Sequence, residues 1–112
     1  MKILIRSMQI DVLPALKRHI DEKIGLLENH LDPKHVSLAE ARVEVGRPSG
    51  HHHKGEVFYA EVNLKIGKEF MRCSVEDSDL YSAVNKCRDD LERQISKDKT
   101  KHVSKRRKAE RK

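Results

Sequence analysis

The stretch that decides the fold is EDSDLYSAVNKCRDDLERQISKDKTK, residues 76–101. Its apolar residues recur at steps of four, three, four and four: Leu80, Val84, Cys87, Leu91 and Ile95. Because an α-helix turns by about 100° per residue, this spacing puts one apolar stripe along a helix of roughly five turns. Acidic and hydroxyl residues precede the stripe and suit the positive end of a helix. The stretch therefore predicts an amphipathic helix with one face in a core.

The opposite face of this helix is basic. Lys86, Arg93 and Lys97 fall on the side away from the apolar stripe, whereas Arg88 flanks it. Lys99 and Lys101 extend the positive charge to the end of the stretch, and these side chains are our candidate anion-binding residues on this helix. A solvated helix face is the other interpretation of the same pattern, and periodicity alone does not separate the two. The flanking Tyr81 could stack on a base, although packing beside the core explains it too.

The net charge of the chain sits at its C-terminal end. The 112 residues carry a formal charge of +6. Residues 97–112 hold nine Lys/Arg and two Asp/Glu, a net of +7, and the other 96 residues hold fifteen and sixteen, a net of −1. We therefore expect one domain over residues 1–98, followed by a basic, disordered tail over residues 99–112. Such a tail could bind nucleic acid weakly and without sequence preference.

A second amphipathic helix is predicted upstream. A short strand containing Ile3 and Ile5 should leave through a turn at residues 7–12. From Pro14, an apolar stripe then runs to the end of a helix near Asp32 and Pro33: Leu16, Ile20, Ile24, Leu27 and Leu31. Arg18 lies on the outer face of this helix, and Lys23, with His19 and His30, lies along one edge. That edge could form a wall of a basic groove.

Three strands are predicted between the two helices. The first covers Ala41, Val43 and Val45, and an earlier change of parity after Val36 and Leu38 indicates a bulge or an imprecise start. A Gly/Pro-rich loop over residues 46–55 leads to the strand at residues 58–66, and Gly67-Lys68 turns into the last strand at residues 68–75. The order β-α-β-β-β-α predicts an α+β domain with both helices on one face of a mostly antiparallel four-stranded sheet, like a double-stranded-RNA-binding domain.

Several function classes lack support in the sequence. There is no apolar run of membrane length and no signal-peptide pattern, so we expect a cytoplasmic protein. Cys73 and Cys87 are interpreted as buried free thiols. Residues 51–53 are three adjacent histidines, which could attract a metal but cannot close a tetrahedral site alone. Without a nucleophile motif, a phosphate loop or a metal-ligand set, we predict no enzyme, no small-molecule substrate, no metal and no cofactor.

Specific motifs resemble those of the ribosome hibernation factors, which include the ribosome-associated inhibitor and the short hibernation-promoting factor, once called sigma-54 modulation proteins. The resemblance covers about residues 1–101 and is most specific in DLYSAVN at residues 79–85. DLERQI at residues 90–95, followed by Lys97, continues it. YAEV at residues 59–62 and FMR at residues 70–72 are similar to the third and fourth strands of the family.

The resemblance implies a monomeric factor that binds the small ribosomal subunit and its rRNA within assembled ribosomes. It would lie between head and body, in the path of tRNA and mRNA, and would inhibit translation by occupancy, so that ribosomes are kept inactive under stress. The family's long form carries a further C-terminal domain, and this chain is similar to the short form. A general binder of double-stranded or structured RNA is the alternative, because the same fold and charge describe such modules as well.

Overall fold

The computed structural model describes the backbone of residues 1–48 and 57–110 and, within these, the side chains through residue 97. The predicted order of strands and long helices is confirmed, and two short helical segments are added to it. The elements are β1 (Lys2–Met8), α1 (Pro14–Gly25), a 3₁₀ helix (Leu26–His30), α2 (Pro33–Val36), β2 (Ala39–Gly46), β3 (Phe58–Ile66), β4 (Glu69–Asp77) and α3 (Leu80–Glu110).

The four strands form one sheet in the order β1-β2-β3-β4. β1 and β2 are parallel because the helical segments carry the chain back between them, and the other two pairings are antiparallel. β3 and β4 meet in a tight hairpin, where Gly67 has a φ of 60°. This backbone conformation favours glycine, which has no Cβ to clash. The mostly antiparallel sheet predicted from the sequence is confirmed.

The core lies between one face of the sheet and the two long helices, as predicted. All five residues of the α3 stripe are buried, and so are the facing side chains of β2 and β3. The helices contribute Leu16, Ile20, Ile24, Leu80, Val84, Cys87, Leu91 and Ile95, and the strands contribute Ala39, Ala41, Val43, Val45, Ala60, Val62, Leu64 and Cys73. The helices therefore cover one face of the sheet and leave the other open to solvent.

The first predicted helix is divided in the structure. The α-helix ends at Gly25, and a 3₁₀ helix carries the chain to His30. Leu27 and Leu31 are still buried, so the stripe was assigned to the core correctly although its backbone was not. Pro33 then begins α2, which ends at Val36, and β2 starts only at Ala39, so the change of parity reflects an imprecise strand start and not a bulge, and Val36 and Leu38 do not belong to the strand.

The first strand is longer than predicted. Ser7 lies inside β1 rather than in its exit turn, and the chain turns at Gln9, which has a φ of 64°. This region ends in a tight approach of β1 to β2, where Met8 is paired with Gly46. The predicted loop of residues 46–55 begins after β2, and its three histidines lie outside the described residues.

The backbone of α3 continues to Glu110 and is longer than the roughly five turns that the sequence predicted. Ile95 is the last buried residue of this helix for which the side chain is described. The disorder predicted for residues 99–112 in the free protein, and the domain boundary at residue 98, stay predictions. None of the helices in the described part of the chain combines the length and apolar character that a membrane span needs.

Candidate nucleic-acid interface

The outer face of α3 is formed by Lys86, Arg93 and Lys97, which lie on one line along the helix because their spacings are seven and four residues. All three side chains are exposed. The helix is positioned by its buried stripe, which fixes the rotation of α3 on β3 and β4. The packing of the core therefore presents these three cations to solvent, as the sequence predicted.

Lys86 is anchored to the start of the helix. Its Nζ lies 2.5 Å from Oδ2 of Asp77, the last residue of β4. The hydrogen bond from Lys86, together with one from the backbone N–H of Asp79, lowers the pKa of the Asp77 carboxyl from its usual 3.8 to about 2. Asp77 is thus ionised at neutral pH and holds the ammonium group close to the N-terminal end of α3.

Arg93 takes part in a small polar network at the β4 edge. Its Nη2 lies 3.3 Å from Oδ1 of Asp90. Gln94 donates to the other carboxylate oxygen of Asp90 at 2.9 Å and to the carbonyl of Arg72 in β4 at 3.0 Å. The hydrogen bond from Gln94 is the main cause that lowers the pKa of Asp90. Arg93 itself is 72% exposed, so its guanidinium retains free donors toward solvent.

Arg88 does not lie on the outer face but on the edge of α3 that faces α1. Its guanidinium pairs with Asp89 and lies 3.3 Å from Glu92, the partner one turn away that was the alternative to a role in binding. The side chain is 27% exposed, and its Nε is buried without a hydrogen-bond partner in the described part of the chain. The terminal nitrogens of Arg88 are therefore paired with acidic residues of its own helix, which leaves this side chain less available to a phosphate than Arg93.

Two histidines of the first helical segment contact α3 on this same edge. His19 Nε2 lies 2.9 Å from Oδ1 of Asn85, and its ring packs edge-on against Tyr81 with the centroids 4.8 Å apart. His30 Nε2 lies 3.1 Å from Oε1 of Glu92. The sequence placed both histidines on the edge of the first helix but gave no sign of their partners. The packing of Tyr81 against His19 agrees with its interpretation as a packing residue.

Lys23 lies in α1 one turn after His19, whose ring contacts Asn85 of α3. It is half-buried and has no ion pair among the described residues. Glu28, the nearby acid of the next helical segment, pairs instead with the N-terminal amine of Met1 at 2.8 Å. Lys23 is therefore a cation on this edge of α1 that is available to an anionic partner.

The remaining candidate anion-binding residues lie on the outer face of α1 and toward the C-terminal end of α3. Arg18 is exposed on the outer face of α1, beside a shallow depression that also involves Pro14 and Asp21. Lys97 is exposed, and within the described part of the chain it has no ion pair. The backbone of α3 carries Lys99 and Lys101, whose side chains lie outside the described residues.

A metal site or a nucleophilic cysteine has little support among the described residues. No group of three His, Cys, Asp or Glu side chains there is placed to bind a metal ion. Cys73 and Cys87 are free and buried, and burial raises the pKa of both thiols, so neither is poised as a nucleophile. These basic side chains of the two helices can bind phosphate groups through charge-assisted hydrogen bonds. We call them together the helical surface: Arg18, Lys23, Lys86, Arg88, Arg93 and Lys97.

Comparison with known proteins places this geometry in a family. A relative from Bacillus subtilis, named ribosome hibernation promotion factor, is 37% identical over 97 residues, which are 87% of this chain and 48% of that protein. The ribosome-associated factor Y of Haemophilus influenzae is 28% identical over 109 residues, 95% of this chain and 90% of that protein. The chain thus spans about half of the first relative and most of the second.

The fold has solved counterparts as well. The crystal structure of the Thermus thermophilus Protein Y N-terminal domain superposes with a TM-score of 0.72 at 22% identity, and the match covers 87% of this chain and 98% of that domain. That likeness shows the fold. Residues 3–103 match the family described as Sigma 54 modulation protein / S30EA ribosomal protein. This match takes in all four strands except Lys2 and all six residues of the helical surface, and it shows that the chain belongs to that family.

Proposed function

We propose that this domain is a ribosome hibernation factor that binds rRNA of the small ribosomal subunit in the tRNA and mRNA path and inhibits translation by occupying it. The observation that carries the proposal is that the family match over residues 3–103 contains a helix whose exposed face is a line of cations. The names of the relatives from Bacillus subtilis and Haemophilus influenzae support a role on the ribosome. Such a factor would act as a monomer in the cytoplasm, where ribosomes are.

The ion pairs of the helical surface do not prevent it from binding RNA. Lys86 and Arg93 are 59% and 72% exposed, and ion pairs between exposed groups contribute only about 0–1 kcal/mol to stability. A phosphate can therefore replace Asp90, which is 39% exposed, as the partner of Arg93 at little cost, whereas Asp77 is only 15% exposed and competes more strongly for Lys86. Arg93 can also present two parallel N–H groups to one phosphate, which a lysine cannot do.

Folded RNA suits such a surface better than a sequence-specific reading of bases would. Lysines and arginines on rigid helices can hold phosphates at the spacing that an RNA fold sets, without contact to base edges. Lys23 on the edge of α1 adds a further, half-buried cation. The surface needs no chemical step, because occupancy of the tRNA and mRNA path is enough to stop initiation and elongation.

The proposal is tested by replacing Lys86, Arg93 and Lys97 together with Gln. We expect the triple variant to fold, with only the small loss of thermal stability that comes from the missing Lys86–Asp77 pair, because none of the three side chains is buried. Charge-assisted contacts to phosphate contribute roughly 1.5–3 kcal/mol each, so the loss of three should lower ribosome affinity by orders of magnitude even if their effects are not additive. The measurements are co-sedimentation with 70S ribosomes and inhibition of in vitro translation.

A matched control removes the same charge elsewhere. Arg6, Lys17 and Lys34 are exposed, and each pairs with one acidic residue away from the outer face of α3. Their triple change to Gln should leave binding and inhibition close to those of the parent. Full inhibition by the folded Lys86, Arg93 and Lys97 variant would overturn the proposal. Equal binding of the parent to naked RNA duplex and to ribosomes would instead favour the general structured-RNA-binding module.

A further inference from the structure

The open face of the sheet, on the side away from the helices, has an ordered arrangement of side chains. Alternate residues of the four strands point to this face and lie side by side in rows across the sheet. From the β3–β4 hairpin end the rows are Lys2, Glu40, Lys65 and Phe70; then Leu4, Arg42, Asn63 and Arg72; then Arg6, Glu44, Glu61 and Ser74; and finally Met8, Gly46, Tyr59 and Glu76.

Charge is segregated along these rows. The first two rows contain four cations and one acid, a net of +3, whereas the last two contain one cation and three acids, a net of −2. The face is therefore nearly neutral as a whole but has a basic half. We call this half, the two rows from Lys2 to Phe70 and from Leu4 to Arg72, the basic sheet patch.

Phe70 is the distinctive residue of the patch. It is 72% exposed, which makes it the most exposed large apolar side chain among the described residues. Single exposed apolar residues are common on protein surfaces, but this ring lies under a cation, with the Nζ of Lys65 5.6 Å from the ring centroid. An aromatic face beside basic side chains on an open sheet is an arrangement that binds unpaired bases, which stack on the ring while cations hold the phosphates.

The other cations of the patch are within reach of a strand of RNA that crosses it. Arg72, next to Phe70 in the adjacent row, pairs with Glu61 at 2.6 Å and is 66% exposed. Arg42 pairs with Glu40 at 3.3 Å and is 73% exposed. Both arginines are more exposed than their acidic partners, Glu61 at 22% and Glu40 at 28%, so each guanidinium retains N–H groups that can donate to a phosphate. A four-stranded sheet is too wide to enter the narrow major groove of an RNA duplex, so a single strand fits it better.

We propose that the basic sheet patch is a second nucleic-acid contact surface, which binds single-stranded RNA by stacking a base on Phe70 and by holding the flanking phosphates with Lys65, Arg72 and Arg42. This surface lies on the opposite side of the sheet from the helical surface. It goes beyond the proposed function and does not depend on it. A domain with both surfaces can contact a folded RNA on one side and an unpaired segment on the other.

The test uses the 112-residue chain and a fluorescein-labelled decauridylate, with binding followed by fluorescence anisotropy. Phe70→Ala should weaken binding roughly tenfold, which is the order of loss for one base stacked on an aromatic ring. Phe70→Tyr keeps a ring of the same shape and should bind like the parent. Leu13→Ala is the matched control, because Leu13 is a 65% exposed apolar residue at the start of α1, away from the sheet. It should bind like the parent.

A second measurement locates the contact directly. Ultraviolet crosslinking of the decauridylate, followed by mass spectrometry of tryptic peptides, should place a crosslink on the peptide that contains Phe70. Binding of Phe70→Ala equal to that of the parent, or crosslinks confined to the C-terminal residues 98–112, would overturn the proposal.

The two proposals fail separately. The triple change of Lys86, Arg93 and Lys97 tests binding to ribosomes, and in that background Phe70→Ala should still weaken binding to the decauridylate by the same factor. If the triple variant keeps full ribosome binding, the proposed function fails, but the dependence on Phe70 is unaffected. If the dependence on Phe70 is absent, only the sheet patch is disproved.

Discussion

The Nζ of Lys86 lies 2.5 Å from Oδ2 of Asp77, so the first cation on the outer face of α3 is bound to the carboxylate that ends β4. The other oxygen of Asp77 accepts the backbone N–H of Asp79 at 3.0 Å. One carboxylate therefore closes the turn into the helix and fixes the position of a candidate RNA contact. A phosphate that reaches Lys86 competes with Asp77. Substitution of either residue should therefore change both the titration of the carboxyl and the binding of RNA.

Lys86→Gln should raise the pKa of Asp77. The carboxyl titrates at about 2, below its usual 3.8, chiefly because Lys86 donates a hydrogen bond to it. Removal of the ammonium should move this pKa most of the way back, while the Asp79 N–H retains part of the effect. The pKa is measured from the carboxyl ¹³C shift of Asp77 as pH is varied, and Lys17→Gln should leave that titration unchanged.

The same pair predicts how stability responds to acid. A pKa that is lower in the folded state than in the unfolded state adds stability that is fully present above the unfolded value and is lost as pH falls through the folded value. For Asp77 this window runs from about pH 4 down to about pH 2. In Lys86→Gln this part of the acid dependence should be smaller. An Asp77 titration identical in parent and variant would show that the pair does not form in solution.

Two glycines should respond in opposite directions to substitution by Ala. At Gly46 a Cβ would lie 2.3 Å from the backbone carbonyl oxygen of Met8, so Gly46→Ala must push β1 away from β2. We expect this change to lower the free energy of unfolding by about 1–3 kcal/mol. At Gly25 a Cβ would meet nothing within 4 Å, and the backbone is helical, so Gly25→Ala should stabilise the domain by about 0.5–1 kcal/mol. Urea denaturation of both variants measures the difference, and a stable Gly46→Ala protein would contradict the close β1–β2 approach.

The fold was predictable because its signals are local. The stripe from Leu80 to Ile95 and the alternation from Phe58 to Ile66 each fix which side chains face the core, whatever the neighbouring elements are. The division of the first helix was not predictable in the same way. Leu27 and Leu31 stay buried whether the backbone is α-helical or 3₁₀, so periodicity does not report the change at Gly25.

The candidate site was predictable only in part. Exposure of Lys86, Arg93 and Lys97 follows from the angle each makes with the core stripe, which is a property of the helix alone. Their partners depend on tertiary contacts. The pairing of Lys86 with Asp77 joins a helix to the end of a strand, and the contact of His19 with Asn85 joins residues 66 positions apart. Spacing along one helix cannot reveal either.

Removal of residues 102–112 should reduce the salt dependence of ribosome binding more than it reduces occupancy at low salt. The deletion removes six Lys/Arg and one Glu, a net of +5. Cations that bind phosphate release counterions, so fewer of them give a smaller slope of log K against log salt concentration. The slope is measured by co-sedimentation at several salt concentrations. Loss of all association at low salt would show that the helical surface is not the primary site.

Amide exchange tests the state of the same segment in the free protein. From its composition we expect residues 100–112 to exchange rapidly, because the apolar stripe that would hold a helix to the core ends at Ile95. Residues 80–95 should be protected in the same experiment and serve as its internal reference. Firm protection of residues 100–110 would show instead that α3 keeps its full length in solution.

Asp77→Asn should strengthen ribosome binding if Lys86 contacts RNA. Asn keeps an oxygen that can accept the Asp79 N–H, so the turn into α3 should survive, while the loss of the negative charge releases Lys86. Since an exposed ion pair contributes about 0–1 kcal/mol, the gain in affinity should be at most about fivefold and should shrink at high salt. Asp32→Asn is the matched control, because it makes the same change in net charge beside Lys34, away from the helical surface. Equal affinities of the two variants for ribosomes would mean that Lys86 does not lie at the interface.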